Sequence, residues 1–108
     1  MRLTLLFDYY GNLLTKKQQK IMKLYFFYDL SLAEIAEKID ISRQGVYDHL
    51  QRAEKMLNEY EKKMKLVQKH EQIKAQLDDF AQDIDEIIAD QKQQEKLQER
   101  IDKLREIL

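Results

Sequence analysis

Arg43, Gln44, Tyr47 and Asp48 lie within six consecutive residues, spaced so that the first two turns of one helix would present them together. Side chains of these types, so placed, can read nucleic-acid base edges. An arginine forks its guanidinium onto O6 and N7 of guanine, and a glutamine carboxamide does the same to N6 and N7 of adenine. Ser42 stands just ahead of them, where a hydroxyl either caps a helix or contacts a phosphate. Lys38, Arg52 and Lys55 flank the group and are cations suited to phosphate.

These residues need a scaffold that holds one helix clear of the body, and residues 31–53 have the pattern of a helix-turn-helix. Ala36 is the small residue required where the first helix crosses the second. Asp40 occupies the turn position that needs a left-handed backbone, which aspartate tolerates better than most residues. Ile41 and Val46, five apart, are the apolar positions after the turn. Two residues depart from the usual pattern. Asp40 stands where glycine is common, and His49 stands where an isoleucine or valine is common. Gly45 within the second helix costs about 1 kcal/mol relative to alanine; a close approach of DNA or of the first helix would explain it, and so would simple tolerance in a helix supported by tertiary packing.

The flanking elements are also helical. Residues 2–10 form a short apolar helix stopped by Gly11-Asn12. Thr15 and Gln18 make one capping box and Ser31 and Glu34 a second. The helix opened by Thr15 carries Ile21, Leu24, Tyr25 and Tyr28 and ends near Asp29. The third helix begins at Ser42, and its apolar residues Val46, Leu50, Ala53, Leu57, Tyr60, Met64 and Val67 recur in unbroken 4,3 steps. That seam predicts a helix of about 25 residues, ~37 Å long, reaching Val67. The seam slips before Ile73, which predicts a bend around Lys69–Glu71. A second seam runs Ile73, Leu77, Phe80, Ile84, Ile87. The glutamine-rich stretch from Asp90 to Lys96 is predicted as a hinge before a helix carrying Leu97, Ile101, Leu104 and Leu108. Aromatic residues concentrate in 7–28, and Tyr25-Phe26-Phe27-Tyr28 point in different directions, so some must pack on the first helix or the C-terminal arm.

Composition narrows the function classes. The 108 residues contain no proline, no cysteine and only two glycines, which disfavours a turn-rich sheet protein and excludes thiolate chemistry. The first ten residues hold too short an apolar run for a signal peptide, and no stretch approaches the ~20 residues of a membrane span. A cytoplasmic location is therefore expected. His49 and His70 have no ligand partners in sequence, so no metal is expected. The carboxylates Asp78, Asp79, Asp83, Asp85, Glu86 and Asp90 spread over a solvated helix face, and no catalytic constellation or cofactor site emerges, so the chain is not read as an enzyme. Net charge is −1, but unevenly divided: residues 1–66 hold 12 Lys/Arg against 9 Asp/Glu (+3), and residues 67–108 hold 7 against 11 (−4). The basic part can face phosphate while the acidic part faces away.

With these residues in place, LTKKQQKIMKLYFFYDLSLAEIAEKIDISRQGVYDHLQRAEKML resembles region 4 of bacterial sigma factors. Together with the preceding RLTLLFDYYGNLL and the acidic helical tail, the chain resembles the YlxM family of small bacterial proteins. The resemblance implies an all-α, sigma region 4-like helix-turn-helix fold and a regulator that binds double-stranded DNA. Genes of that family neighbour those of the signal recognition particle and its receptor, which implies a role in that pathway. The expected organisation is a helix-turn-helix domain over 1–67, including the long second helix, and an acidic helical arm over 68–108 for packing or dimerisation. A helix with a heptad seam wants a partner, either residues 73–108 folded back within the chain or a second copy; helix-turn-helix proteins commonly bind as symmetric dimers, so a homodimer built from the long helix and the C-terminal helices is expected. The competing reading is a protein- or RNA-binding adaptor of the signal recognition particle pathway, with the helix-turn-helix serving as a scaffold.

Overall fold

The computed structural model describes residues 2–108. Six α-helices follow one another: α1 (Arg2–Tyr10), α2 (Lys16–Phe26), α3 (Leu32–Ile39), α4 (Arg43–Met64), α5 (Leu66–Ile87) and α6 (Gln91–Ile107), with a 3₁₀ turn at Gly11–Leu13 after α1. The described residues contain no strand. They divide into two compact units, residues 1–67 and 68–108.

Local chemistry places each start in the first unit. Thr15 accepts from the Gln18 backbone N–H at 3.1 Å, and the Gln18 side chain accepts from Thr15 N–H at 3.0 Å. Ser31 and Glu34 repeat the exchange at the head of α3, and Ser42 accepts from Gly45 N–H at 2.9 Å at the head of α4. Each cap stabilises its helix by about 1 kcal/mol. Asp40 is left-handed (φ 57°, ψ 50°), and the following N–H of Ile41 closes on the Ala36 carbonyl at 3.1 Å. This ends α3 and turns the chain into α4. α2 ends earlier than expected, at Phe26, with Asp29 left-handed at φ 56°.

α4 is the spine of this unit, packing against α1, α2 and α3. Its Val46, Leu50, Ala53 and Leu57 meet Leu6 and Tyr10 of α1, Ile21 and Met22 of α2, and Ile35 of α3 in one buried cluster. Each large aliphatic side chain taken out of water there contributes about 1.5–3 kcal/mol. The aromatic run divides as its geometry requires. Phe27 stacks on Phe7 of α1, ring centroids 5.6 Å apart, and Tyr28 stays exposed.

The long helix does not reach Val67. α4 ends at Met64, Lys65 takes a left-handed conformation (φ 57°, ψ 31°), and α5 begins at once. The heptad pattern continues through the break because Val67 is fully buried in the same core, from the first turn of α5. The expected bend at Lys69–Glu71 is absent: α5 runs unbroken from Leu66 to Ile87. The apolar gap there consists of helix-tolerant residues, so the pattern is interrupted without breaking the backbone.

In the second unit, α5 and α6 form a helical hairpin. The expected Asp90–Lys96 hinge shrinks to 88–90. Asp90 caps α6 by accepting from Gln93 N–H at 3.0 Å. The glutamines that suggested a flexible link hold the hairpin instead. Gln94 donates to the Ile88 carbonyl, and Gln98 donates to the Ala81 carbonyl at 2.8 Å. Gln94 thus serves carbonyls at and just past the end of α5, where intrahelical partners are lacking, and Gln98 adds a second donor to a carbonyl within the helix. Ile84 and Ile101 are the buried apolar side chains of this hairpin. Arg105 bridges Asp78 at 2.8 Å in an exposed pair that adds little stability. No helix among the described residues is long and apolar enough to cross a membrane.

Candidate nucleic-acid interface

The two helices of the motif are α3 and α4, crossing where Ala36 is buried. Val46 is fully buried just after the turn, and Leu50, Ala53 and Leu57 continue that side along α4. Burying this stripe turns the opposite side outward. Gln44, Arg52 and Lys55 are exposed there, Tyr47 is exposed at its flank and Asp48 is half-buried, while Arg43, seven residues before Leu50 and in line with the buried stripe, is exposed as the first residue of the helix. Gln51 is exposed on the same side and was missed in the sequence reading. It lies seven residues after Gln44, two helical turns on, and that spacing is the signal that could have found it.

The candidate side chains do not all have the same freedom. Gln44 Nε2 donates to Asp48 Oδ1 at 3.0 Å, so two proposed readers are bonded to each other across one turn. Ser42 Oγ serves the helix cap, which leaves its hydroxyl hydrogen as the atom free to donate outward. Tyr47 and Gln51 line one wall of a hollow whose other walls include Leu3, Tyr25, Phe26 and Leu32. Lys38 is exposed in the last turn of α3, just before the Asp40 turn. Lys55 lies 12 residues beyond Arg43, about 18 Å along the axis. That separation suits a phosphate contact away from the bases that Arg43 would reach.

Gly45 has a local explanation. A Cβ built there would sit 3.1 Å from Ser42 Oγ and 3.6 Å from Ile41 Cδ1. The glycine makes room for the capping hydroxyl, while Ile41 would be in ordinary van der Waals contact with a Cβ and no residue of α3 comes as near.

His49 is half-buried on the flank of α4, and its Nδ1 is buried without a hydrogen-bond partner. Burial pushes its pKa below the usual 6.5, and the positive charges of Lys17 on α2 and Arg52 push the same way, against the weaker opposing pull of Asp48. Lys17 and Arg52 both act on His49, so α2 adds a cation to this edge of the motif.

The UPF0122 family, described as "Putative helix-turn-helix protein, YlxM / p13 like", matches residues 1–104. A UPF0122 protein of Thermoanaerobacter sp. (strain X514) is 51% identical over 83 residues, covering 77% of this chain and 71% of the relative. One from Halalkalibacterium halodurans is 55% identical over 71 residues, covering 66% of this chain and 65% of the relative. One from Caldanaerobacter subterraneus subsp. tengcongensis is 56% identical over 71 residues, covering 66% and 61%.

Proposed function

The chain belongs to the UPF0122 family of YlxM / p13-like helix-turn-helix proteins, and on that premise we propose that it is a regulator that binds double-stranded DNA as a homodimer and acts in the signal recognition particle pathway. The observation that carries the DNA reading is the division of α4 into a buried apolar side and an outward side bearing Gln44, Gln51, Arg52 and Lys55, with Arg43 exposed at the first residue of the helix. Arg43 and Gln44 are the base readers of this reading, with Tyr47 and Asp48 at the margin of the contact. Ser42, Lys38, Arg52 and Lys55 are its phosphate contacts. No catalytic role is assigned to any residue. Capture of cross-linked DNA from cells, followed by sequencing, tests the proposal. Enrichment of discrete sites that disappears with Arg43→Ala supports it, and the absence of enriched sites sinks it.

Two observations favour a second reading. Asp48 places a carboxylate on the outward side and engages Gln44, and the net charge of the chain is −1. Both features weaken attraction to phosphate. A protein- or RNA-binding adaptor of the signal recognition particle pathway, with the motif as a scaffold, fits them. Co-purification of particle components without enriched DNA would make this the better account.

A further inference from the structure

We propose that two copies of this chain associate through the groove of the α5–α6 hairpin, with α5 running antiparallel to α5 of the second copy about a two-fold axis at Gln76. This rests on the dimeric reading above and says which surface makes the dimer.

The hairpin is short of a core. Ile84 and Ile101 are its buried apolar side chains, while Ile73, Phe80, Ile87, Leu104 and Ile107 are between 48% and 81% exposed. Two helices holding two buried residues exclude too little water to be secure alone. Ile73, Leu77 and Phe80 of α5 and Leu104 of α6 line a groove whose other walls are Gln72 and Gln76. The groove walls carry no formal charge, so covering them desolvates no ion. The five exposed side chains present on the order of 600 Å² of apolar surface, taking ~200 Å² for a fully exposed large side chain. That is at the upper end of the roughly 300–600 Å² that the largest apolar patch of a monomer presents, and approaches the ~800 Å² each partner contributes to a standard interface.

Charge selects a second copy as the occupant. The N-terminal half of α5 carries Lys69 and Lys74 against one acid, Glu71, and its C-terminal half carries Asp78, Asp79, Asp83, Asp85 and Glu86 with no cation. An acidic flank repels nucleic acid. A helix with its two signs separated along its length complements itself when reversed, as an isologous two-fold contact requires. Register follows from spacing. Lys69, Gln76 and Asp83 are seven residues apart and share one face of α5. An antiparallel pair centred on Gln76 therefore sets Lys69 against Asp83 of the second copy, and does so twice. A parallel pair would set Asp83 against Asp83.

Sedimentation equilibrium of the full chain across the micromolar range tests this without DNA. The wild type is expected at twice the 13.1 kDa chain mass. Phe80→Glu is expected at one chain mass with its helical circular dichroism retained. Lys69→Glu and Asp83→Lys are each expected to weaken association by roughly tenfold, since each reversal changes two symmetric contacts, and the double reversal to restore it. The charge pair decides the matter if Phe80→Glu unfolds. A wild type of one chain mass overturns both this surface and the dimeric reading, and so does a groove that only a different protein fills. A wild-type dimer indifferent to Phe80→Glu and to both reversals overturns the surface and leaves the dimeric reading standing. Single reversals that weaken association without rescue by the double overturn the antiparallel register.

Discussion

The Tyr10 hydroxyl donates to the Glu61 carboxylate at 2.6 Å across 51 residues of chain, and together the two receive the opening of the next helix. Leu66 N–H donates to Tyr10 Oη at 3.0 Å, and Val67 N–H donates to Glu61 Oε1 at 2.9 Å. The first N–H groups of a helix have no intrahelical acceptor. Here a tyrosine from α1 and a glutamate from α4 supply them, and this stabilises the left-handed break at Lys65. Tyr10→Phe should lower unfolding stability by about 1–3 kcal/mol, because it leaves a buried carboxylate short of its donor and an N–H short of its acceptor. Urea denaturation measures this; a loss under ~0.5 kcal/mol would mean the junction is held by packing alone.

Burial and the Glu61 hydrogen bond raise the Tyr10 pKa above its usual 10. A raised folded-state value means the stability is fully present below about pH 10 and is lost as pH rises through the higher folded value. Alkaline unfolding should therefore be less steep in Tyr10→Phe than in the wild type, as followed by circular dichroism.

His49 gives a slope at the acid end. Its folded pKa lies below 6.5, so the unfolded chain takes up a proton first as pH falls. The stability is full above about pH 6.5 and decreases as pH drops from there toward the lower folded value. His49→Ile should flatten the urea midpoint between pH 7 and about 5.5, a window below the reference value of ~6.5. An unchanged slope would assign it to other groups.

Ser42 and Gly45 should be coupled. Gly45→Ala alone should give less than the ~1 kcal/mol that alanine normally adds to a helix interior, because its Cβ crowds the capping hydroxyl. In a Ser42→Ala background the full gain should return, measured as a double-mutant cycle in thermal unfolding. Additive effects would place the constraint on Gly45 elsewhere.

On DNA, two substitutions should behave differently. Arg43→Ala should cost about 1–3 kcal/mol and relax the preference at one base pair, while Lys55→Ala should weaken all sequences alike and reduce the salt dependence by about one charge. Asp48→Ala frees Gln44 and removes an acid from the outward side, so affinity should rise roughly tenfold, about 1.4 kcal/mol. Fluorescence anisotropy titrations at two salt concentrations distinguish these outcomes.

Features encoded in neighbouring residues were legible in the sequence. The Thr15, Ser31 and Ser42 caps and the Asp40 turn each depend on side chains within three or four positions of the backbone they serve. The outward side of α4 follows from the period of its buried residues. What escaped depends on contacts across the fold. Nothing near Lys65 signals a break, because its cause is Tyr10, far back in the chain. Glutamines 94 and 98 look like linker composition until the α5 carbonyls they bond are in view. The Gln44–Asp48 bond lies at helical spacing, but reading both residues as open to DNA hid it.

The boundary between helices and the boundary between units fall at different residues, and this bears on the order of synthesis. The helix-turn-helix is complete in sequence by Met64, yet Val67 is fully buried in the core beneath it, and Glu61 finds an N–H donor at that same residue. A chain growing from its N-terminus thus has every residue of the motif before it has the last piece of the core that secures it. Fragments ending at Met64 should be loose and protease-sensitive, and those ending a full turn or more beyond Val67 should be firm.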